Sequence, residues 1–432
     1  MKNCKRLIII TTLFSILLYS ACDRQGSDES SSYTSKQNLV ETKPEKAGMS
    51  TERLTMIDKV IQQYVDNDWI PGVVAIIARH GKIVYYKSFG VRDVEAGDTL
   101  RKDDIFRMAS MTKAITSVAA MMLYEEGFFL LDDPLYKYIP EFKDPVILEK
   151  VNLKDSTFTS HPAKNQITIR QLLNHTSGIG YGFTHEKLKP LYDKAGIPDG
   201  FVITNAVLGD KMKALGHMPL LHEPGEAYYY GLNTDLLGYF VEVISGKTLK
   251  EFFEERIFQP LGIKNTYFFM PEGEEDRLVE IYASTVSGYE RSTEKLYNYP
   301  VKGGKSYYSG GAGILSTALD YAKFLQMLVN DGSYNGHQLL SRKTIEIMTK
   351  NQVGDLWGSG AFGLGFGITT ETGSAEKLSS VGNYWWGGYF STSFWVDPEE
   401  DLIAVIMTQM FPAWHGEIHQ KFQVLTYQAI VD

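Results

Sequence analysis

Apolar residues recur along this chain with two different periods, and the places where the period changes outline a fold. In MSTERLTMIDKVIQQYVDNDW, Leu54, Ile57, Val60, Ile61 and Tyr64 fall three or four positions apart. That spacing puts side chains on one face of a helix, and Ser50 stands where an N-cap is expected. In GVVAIIARHGKIVYYKSFGVRD the text turns strand-like, predicting two strands joined by a glycine turn at His80-Gly81-Lys82. His80 reads as a turn residue. The helical period returns at Ile115, Val118, Ala119, Met122 and Leu123, at i, i+3, i+4, i+7 and i+8.

From about Asp132 to Gly303 helical stretches alternate with long loops. TIRQLLNHTSGI pairs a short helix with a Ser-Gly stop, and GLNTDLLGYFVEVISGKTLKEFFEERIFQPLGI holds two amphipathic helices, each closed by glycine. The last third is strand-like again in FGLGFGITT, FSTSFWVDPEED and LIAVIMTQM. GEIHQKFQVLTYQAIVD closes the chain as a predicted helix. The order implies an α+β body: one sheet built from both chain ends, with a mostly helical lobe inserted between them.

The N-terminus adds a destination. MKNCKRLIIITTLFSILLYSAC carries basic Lys2, Lys5 and Arg6, then an apolar run from Leu7 to Leu18 that is short for a membrane span. Residues 1–22 are therefore expected to be a secretory signal peptide; an uncleaved anchor is the alternative. Ser20-Ala21-Cys22 resembles the cleavage box of bacterial lipoproteins, in which the cysteine is lipidated, although Tyr19 stands where leucine is usual. Ordinary cleavage nearby is the other reading. Residues 23–43 are polar and Ser-rich and read as a flexible tether, with the folded body expected over 44–432. Cys4 would leave with the leader, and Cys22 would then be the only thiol, so the mature chain has no internal disulfide and no catalytic cysteine. A net charge of −9 argues against a nucleic-acid partner. The membrane is expected to be met through the lipid anchor only, at the cell envelope. Oligomeric state is not encoded in any pattern.

Candidate chemistry narrows by elimination. The chain has no GxSxG, no GxxxxGK[ST] and no dinucleotide glycine pattern. The histidines of HGEIH, His415 and His419, read as one face of the last helix, and no metal or cofactor is implied. Ser-x-x-Lys occurs three times, at Ser110/Lys113, Ser292/Lys295 and Ser374/Lys377. Ser292 sits in polar text and Ser374 in what reads as a loop. Ser110 alone opens an apolar helix, where residues three apart face the same way, so the Lys113 amine can lie beside the Ser110 hydroxyl. A serine hydroxyl needs such a base to become a nucleophile, and a lysine serves only without its proton, which burial favours. Serine as a plain N-cap with a surface lysine is the competing reading. Tyr228, Tyr229 and Tyr230 precede an amphipathic helix and could present a phenol for proton transfer. Trp386-Gly387-Gly388 precedes a strand whose backbone could be approached closely by a substrate.

Taken in order, these pieces resemble the serine β-lactamase and penicillin-binding-protein superfamily, and most of all its class C β-lactamase-related esterases, the family VIII carboxylesterases. IFRMASMTKAIT, ITIRQLLNHTSGI, YYYGLNTDLLGYFVEVISG, GGAGILSTALDYAKF and WWGGYFSTSFWVDPEEDL carry the likeness over nearly the whole mature chain. It implies the β-lactamase/transpeptidase-like fold, with an antiparallel sheet flanked by helices. It also implies Ser110 as acylated nucleophile, Lys113 as its activating partner and Tyr230 as the tyrosine, with Tyr229 the choice if the register slips by one. The backbone N–H groups of Ser110 and Tyr389 would form the oxyanion hole, and Trp386, Gly387 and Gly388 would bind substrate. Two departures stand out. Lactamases carry asparagine two places after the tyrosine, where this chain has Leu232, with Asn233 one place late. Their lysine-threonine/serine-glycine triplet is replaced by Trp386-Gly387-Gly388, the esterase form. A small-molecule ester is therefore the expected substrate. An amide, as a β-lactam or D-amino-acid cell-wall peptide, is the alternative, and a non-catalytic envelope binding protein is a third reading.

Overall fold

In the computed structural model, residues 38–203 and 205–432 are described; the leader, Cys22 and most of the expected tether lie outside them. The strands that build the main sheet are β1 (Val40–Glu41), β2 (Gly72–Arg79), β3 (Lys82–Asp93), β4 (Ala361–Phe362), β5 (Gly367–Ile368), β6 (Tyr384–Gly388), β7 (Thr392–Asp397) and β8 (Leu402–Met407). The helices that matter for the site are α1 (Thr51–Asp66), α2 (Thr112–Glu125), α3 (Leu188–Ala195), α4 (Asn233–Ser245), α5 (Ala318–Val329) and α6 (Ile418–Tyr427).

Strand β2 is buried along its whole length. Val74, Ile76 and Ala78 join one apolar cluster, while Val73, Ala75 and Ile77 join another. Alternate side chains of a strand point to opposite faces, so a strand without a polar face needs a layer on each side. Leu54, Ile57 and Ile61 of α1 and Phe422 of α6 cover one face, and Ile115 and Val118 of α2 with Phe324 and Leu325 of α5 cover the other. Strand β8 repeats the division, with Leu402, Ala404 and Ile406 opposite Ile403, Val405 and Met407.

The sheet order is β1-β3-β2-β8-β7-β6-β5-β4. Antiparallel pairing of β2 with β8, from Arg79 opposite Leu402 to Val74 opposite Met407, joins the two chain ends as expected. Ser50 caps α1, its hydroxyl accepting the Arg53 N–H at 3.2 Å. The β2–β3 turn holds His80 and Gly81 at φ of 53° and 67°, the left-handed conformation a tight hairpin turn needs.

Four local readings change. Val40 and Glu41, assigned to the tether, pair in parallel with Lys82 and Ile83; their two exposed positions leave no apolar period to read. The helical middle contains a hairpin of Val146–Asn152 with Thr157–Pro162 and another of Tyr282–Thr285 with Gly288–Arg291. Ser374 lies in a one-turn helix, Glu371–Glu376, capped by Thr370. His415 and His419 do not share a helix face. His415 precedes α6 and stacks on Trp69 at 4.6 Å, while the half-buried His419 lies against the Ser391 hydroxyl at 2.9 Å.

Candidate active site

Ser110 sits in a single 3-10 turn, Ala109–Met111, immediately before α2. The turn is anchored on both sides: the Met108 N–H donates to the Ile314 carbonyl at 2.9 Å, and the Tyr321 hydroxyl donates to the Met111 carbonyl at 2.9 Å. Ala109 has φ of 44°, a left-handed conformation that is costly for a residue with a Cβ. The strain falls on the residue before the serine and is held there by the surrounding bonds. Ser110 makes no cap bond. Its Oγ instead accepts from Lys113 Nζ at 3.2 Å.

Lys113 is 1% exposed. Nζ also donates to the Tyr181 hydroxyl at 3.0 Å and the Gly311 carbonyl at 2.7 Å, so three acceptors match its three donors. The amine lies 4.7 Å from the centre of the Tyr230 ring. The spacing of three residues thus does what the helix period allowed, and the plain surface lysine is ruled out.

Of the three consecutive tyrosines, Tyr230 lines the same cavity as Ser110. Tyr229 faces His185 at 6.0 Å, and Tyr228 stacks on Trp357 at 4.9 Å. The Tyr230 hydroxyl accepts from Trp386 Nε1 at 3.4 Å, and its ring packs 4.8 Å from His175. Burial first, then the Lys113 charge, hold His175 well below its ordinary value, so this imidazole is neutral. Asn233 donates to His175 Nδ1 at 3.1 Å and to the Ile179 carbonyl at 3.2 Å. It is a buried amide and is not among the residues lining the cavity that holds Ser110.

Tyr181 was not singled out in the sequence, yet its hydroxyl meets Lys113. The quoted segment ITIRQLLNHTSGI stops two residues short of it, and no period links positions 68 residues apart. Asp199 secures the loop, accepting from the Gly182 and Phe183 amides at 2.7 and 2.9 Å. Burial, with Tyr230 and Asp235 nearby, pushes the Tyr181 phenol well above its ordinary value, so it stays protonated.

Strand β6 brings Trp386, Gly387 and Gly388 alongside. A Cβ on Gly388 would lie 2.4 Å from the Met108 carbonyl oxygen and 2.1 Å from Thr392 Oγ1, so only glycine lets this strand approach the turn that carries Ser110. Tyr389 follows directly and lines the cavity, its ring stacked on Phe411 at 3.7 Å. The cavity encloses about 740 Å³. Trp357, Trp385 and Trp386 form an aromatic wall, and Asp199 and Glu294 lie on the rim with Lys189, which is paired to Asp193 at 2.9 Å. A hydroxyl, a buried amine and a phenol at one end of an apolar pocket are equipped for acyl transfer through serine. Ser292 and Ser374 do not line this cavity.

Residues 57–427 match the family model described as Beta-lactamase. Esterase EstB of Burkholderia gladioli is 30% identical over 371 residues, covering 82% of this chain and 89% of EstB. The solved structure of EstCE1, described as a hydrolase with promiscuous acyltransferase activity, superposes with a TM-score of 0.75 at 27% identity, over 87% of this chain and 99% of EstCE1. Simvastatin synthase LovD of Aspergillus terreus, 22% identical, shares the fold with a TM-score of 0.74 over 88% of this chain and 98% of LovD.

Proposed function

The chain belongs to the beta-lactamase family and is an enzyme of the serine hydrolase type, and on that premise we propose that it is a carboxylesterase for small acyl esters, working through an acyl-enzyme on Ser110. The observation that carries the proposal is the buried Lys113 amine 3.2 Å from Ser110 Oγ, at the end of a cavity walled by tryptophans. Ser110 attacks the ester carbonyl while Lys113 and Tyr230 take its proton. The oxyanion lies between the Ser110 and Tyr389 amides, the proton passes to the departing alcohol, and water attacks the acyl-enzyme to release the acid.

Ester is preferred to β-lactam or peptide on charge. β-Lactams and cell-wall peptides present a carboxylate, and the residue types lining this cavity offer it one exposed, ion-paired lysine against Asp199 and Glu294. With p-nitrophenyl butyrate and a chromogenic cephalosporin assayed in parallel, kcat/KM for the ester is expected to be larger by about 10³ or more, the scale on which a missing charge partner discriminates. The opposite order would overturn the ester reading in favour of the lactamase or peptidase one.

The proposal includes export and a lipid anchor at Cys22, supported by the basic, apolar and small-residue layout of residues 1–22. A Cys22→Ser protein is expected to leave the membrane fraction. Retention there would overturn that part alone.

A further inference from the structure

Asp235 is a buried carboxylate that the steps above do not use. It lies in the first turn of α4, fully buried, five residues after Tyr230. Its Oδ1 accepts from the Ser309 hydroxyl at 2.6 Å; Oδ2 has no partner in hydrogen-bond geometry among the described residues, and the Gly311 backbone amide lies close enough to favour the charged form. Burial pushes this carboxyl up from its ordinary value, opposed chiefly by the positive charge of Lys113. A charge held at such depth is costly unless it is paired and hydrogen-bonded.

The neighbours form one connected path. Ser309 Oγ, donating to Asp235, accepts the Ala312 N–H at 3.0 Å, and the Gly313 N–H donates to the Ser309 carbonyl at 3.0 Å. Residues 309–313 therefore form a closed turn fastened to α4. Its glycines admit no side chain: a Cβ on Gly311 would sit 2.2 Å from Asp235 Oδ2, and one on Gly310 would sit 2.6 Å from the Thr234 carbonyl oxygen. On its other side the turn presents two carbonyls to α2. Thr116 Oγ1 donates to Gly310 at 2.7 Å, and Lys113 Nζ donates to Gly311 at 2.7 Å.

We infer that Asp235 is a positioning residue for Lys113: it fastens the 309–313 turn so that the Gly311 carbonyl aims the amine at Ser110. The inference rests on the serine hydrolase reading with Lys113 as activating group. The groups facing Asp235 are Lys113 from α2, the phenols of Tyr181 and Tyr307, and Asp199. Burial pushes both phenols far up, so they stay neutral.

Two substitutions test this role. Asp235→Asn removes charge and alters the hold on the turn. Ser309→Ala loosens the turn and leaves the charge. With p-nitrophenyl butyrate from pH 5 to 9, Asp235→Asn is expected to lower kcat about 100-fold with KM changed less than about threefold, the scale of a misplaced catalytic group. Ser309→Ala is expected to lower kcat about tenfold, again with KM changed less than about threefold. An Asp235→Asn protein, folded by circular dichroism, with wild-type kcat, or with the loss in KM rather than kcat, overturns the inference. If Asp235→Asn does not fold, wild-type kcat in Ser309→Ala overturns it. A wild-type enzyme that forms no acyl-enzyme at Ser110 overturns the hydrolase reading instead.

Discussion

Ser110→Ala lowers kcat for p-nitrophenyl butyrate by about 10⁴-fold or more and leaves the thermal midpoint within a few degrees of wild type. The two expectations come from the same geometry. The hydroxyl makes a single described bond, accepted from Lys113, and caps no helix. Removing it leaves the lysine its two other partners, Tyr181 and Gly311. The Ala109–Met111 turn is held by Ile314 and Tyr321 through backbone groups that the substitution does not touch. The stability cost is therefore that of one solvent-facing hydroxyl, about 1 kcal/mol or less. The catalytic cost is the whole covalent route, and nucleophile deletions in serine hydrolases fall in the range of 10⁴ to 10⁶. Intact-mass analysis after rapid quenching checks the cause, since the wild-type chain gains the acyl mass on Ser110 and the variant gains none. An alanine variant that keeps a tenth of the activity would remove Ser110 from the reaction.

That serine was legible because two independent signals meet at it: the three-residue spacing to a lysine and an apolar helical period directly after. The sheet was legible for a related reason. Strands such as β2 and β8 are covered on both faces, so their continuous apolar runs stand out from the surrounding text. What stayed hidden is what no period records. Tyr181 and Gly311 reach Lys113 across 68 and 198 positions of chain, brought there by a loop fastened to Asp199 and a turn fastened to Asp235. Hydrogen bonds between loops leave no repeat, so the serine-lysine pair could be read but not the acceptors that aim it. Strand β1 escaped for the opposite reason: it is two exposed residues paired through backbone alone. Trp386-Gly387-Gly388 was readable as an unusual triplet, but the Met108 carbonyl that forbids a side chain at Gly388 became visible only in three dimensions.

The two tyrosines at Lys113 differ in what they can do, and substituting each by phenylalanine separates them. Tyr230→Phe is expected to lower kcat by about 10²- to 10³-fold, the usual worth of a positioned proton-transfer group. Tyr181→Phe is expected to lower it by about tenfold. Tyr181 is 3% exposed and accepts a hydrogen bond from the amine; burial and its neighbours Tyr230 and Asp235 hold its proton on. A phenol that keeps its proton can orient Lys113 but cannot relieve Ser110 of one. Its loss costs the lysine one of three partners, while the 2.7 Å bond to Gly311 still directs the amine. Tyr230 lines the cavity, where substrate must lie, with its ring beneath the amine and its oxygen receiving the Trp386 N–H. Tyr181 also lines the cavity, but its hydroxyl is taken up by the Lys113 amine, whereas the Tyr230 oxygen is the one proposed to meet the serine proton and the departing alcohol. KM should move little in either variant, because neither hydroxyl is needed to hold an acyl chain against the tryptophan wall. If Tyr181→Phe proves the costlier of the two, proton transfer belongs to the buried phenol. Tyr230 would then be an aromatic surface under the lysine, and the shape of the cavity rather than its hydroxyl would explain why that position carries a tyrosine.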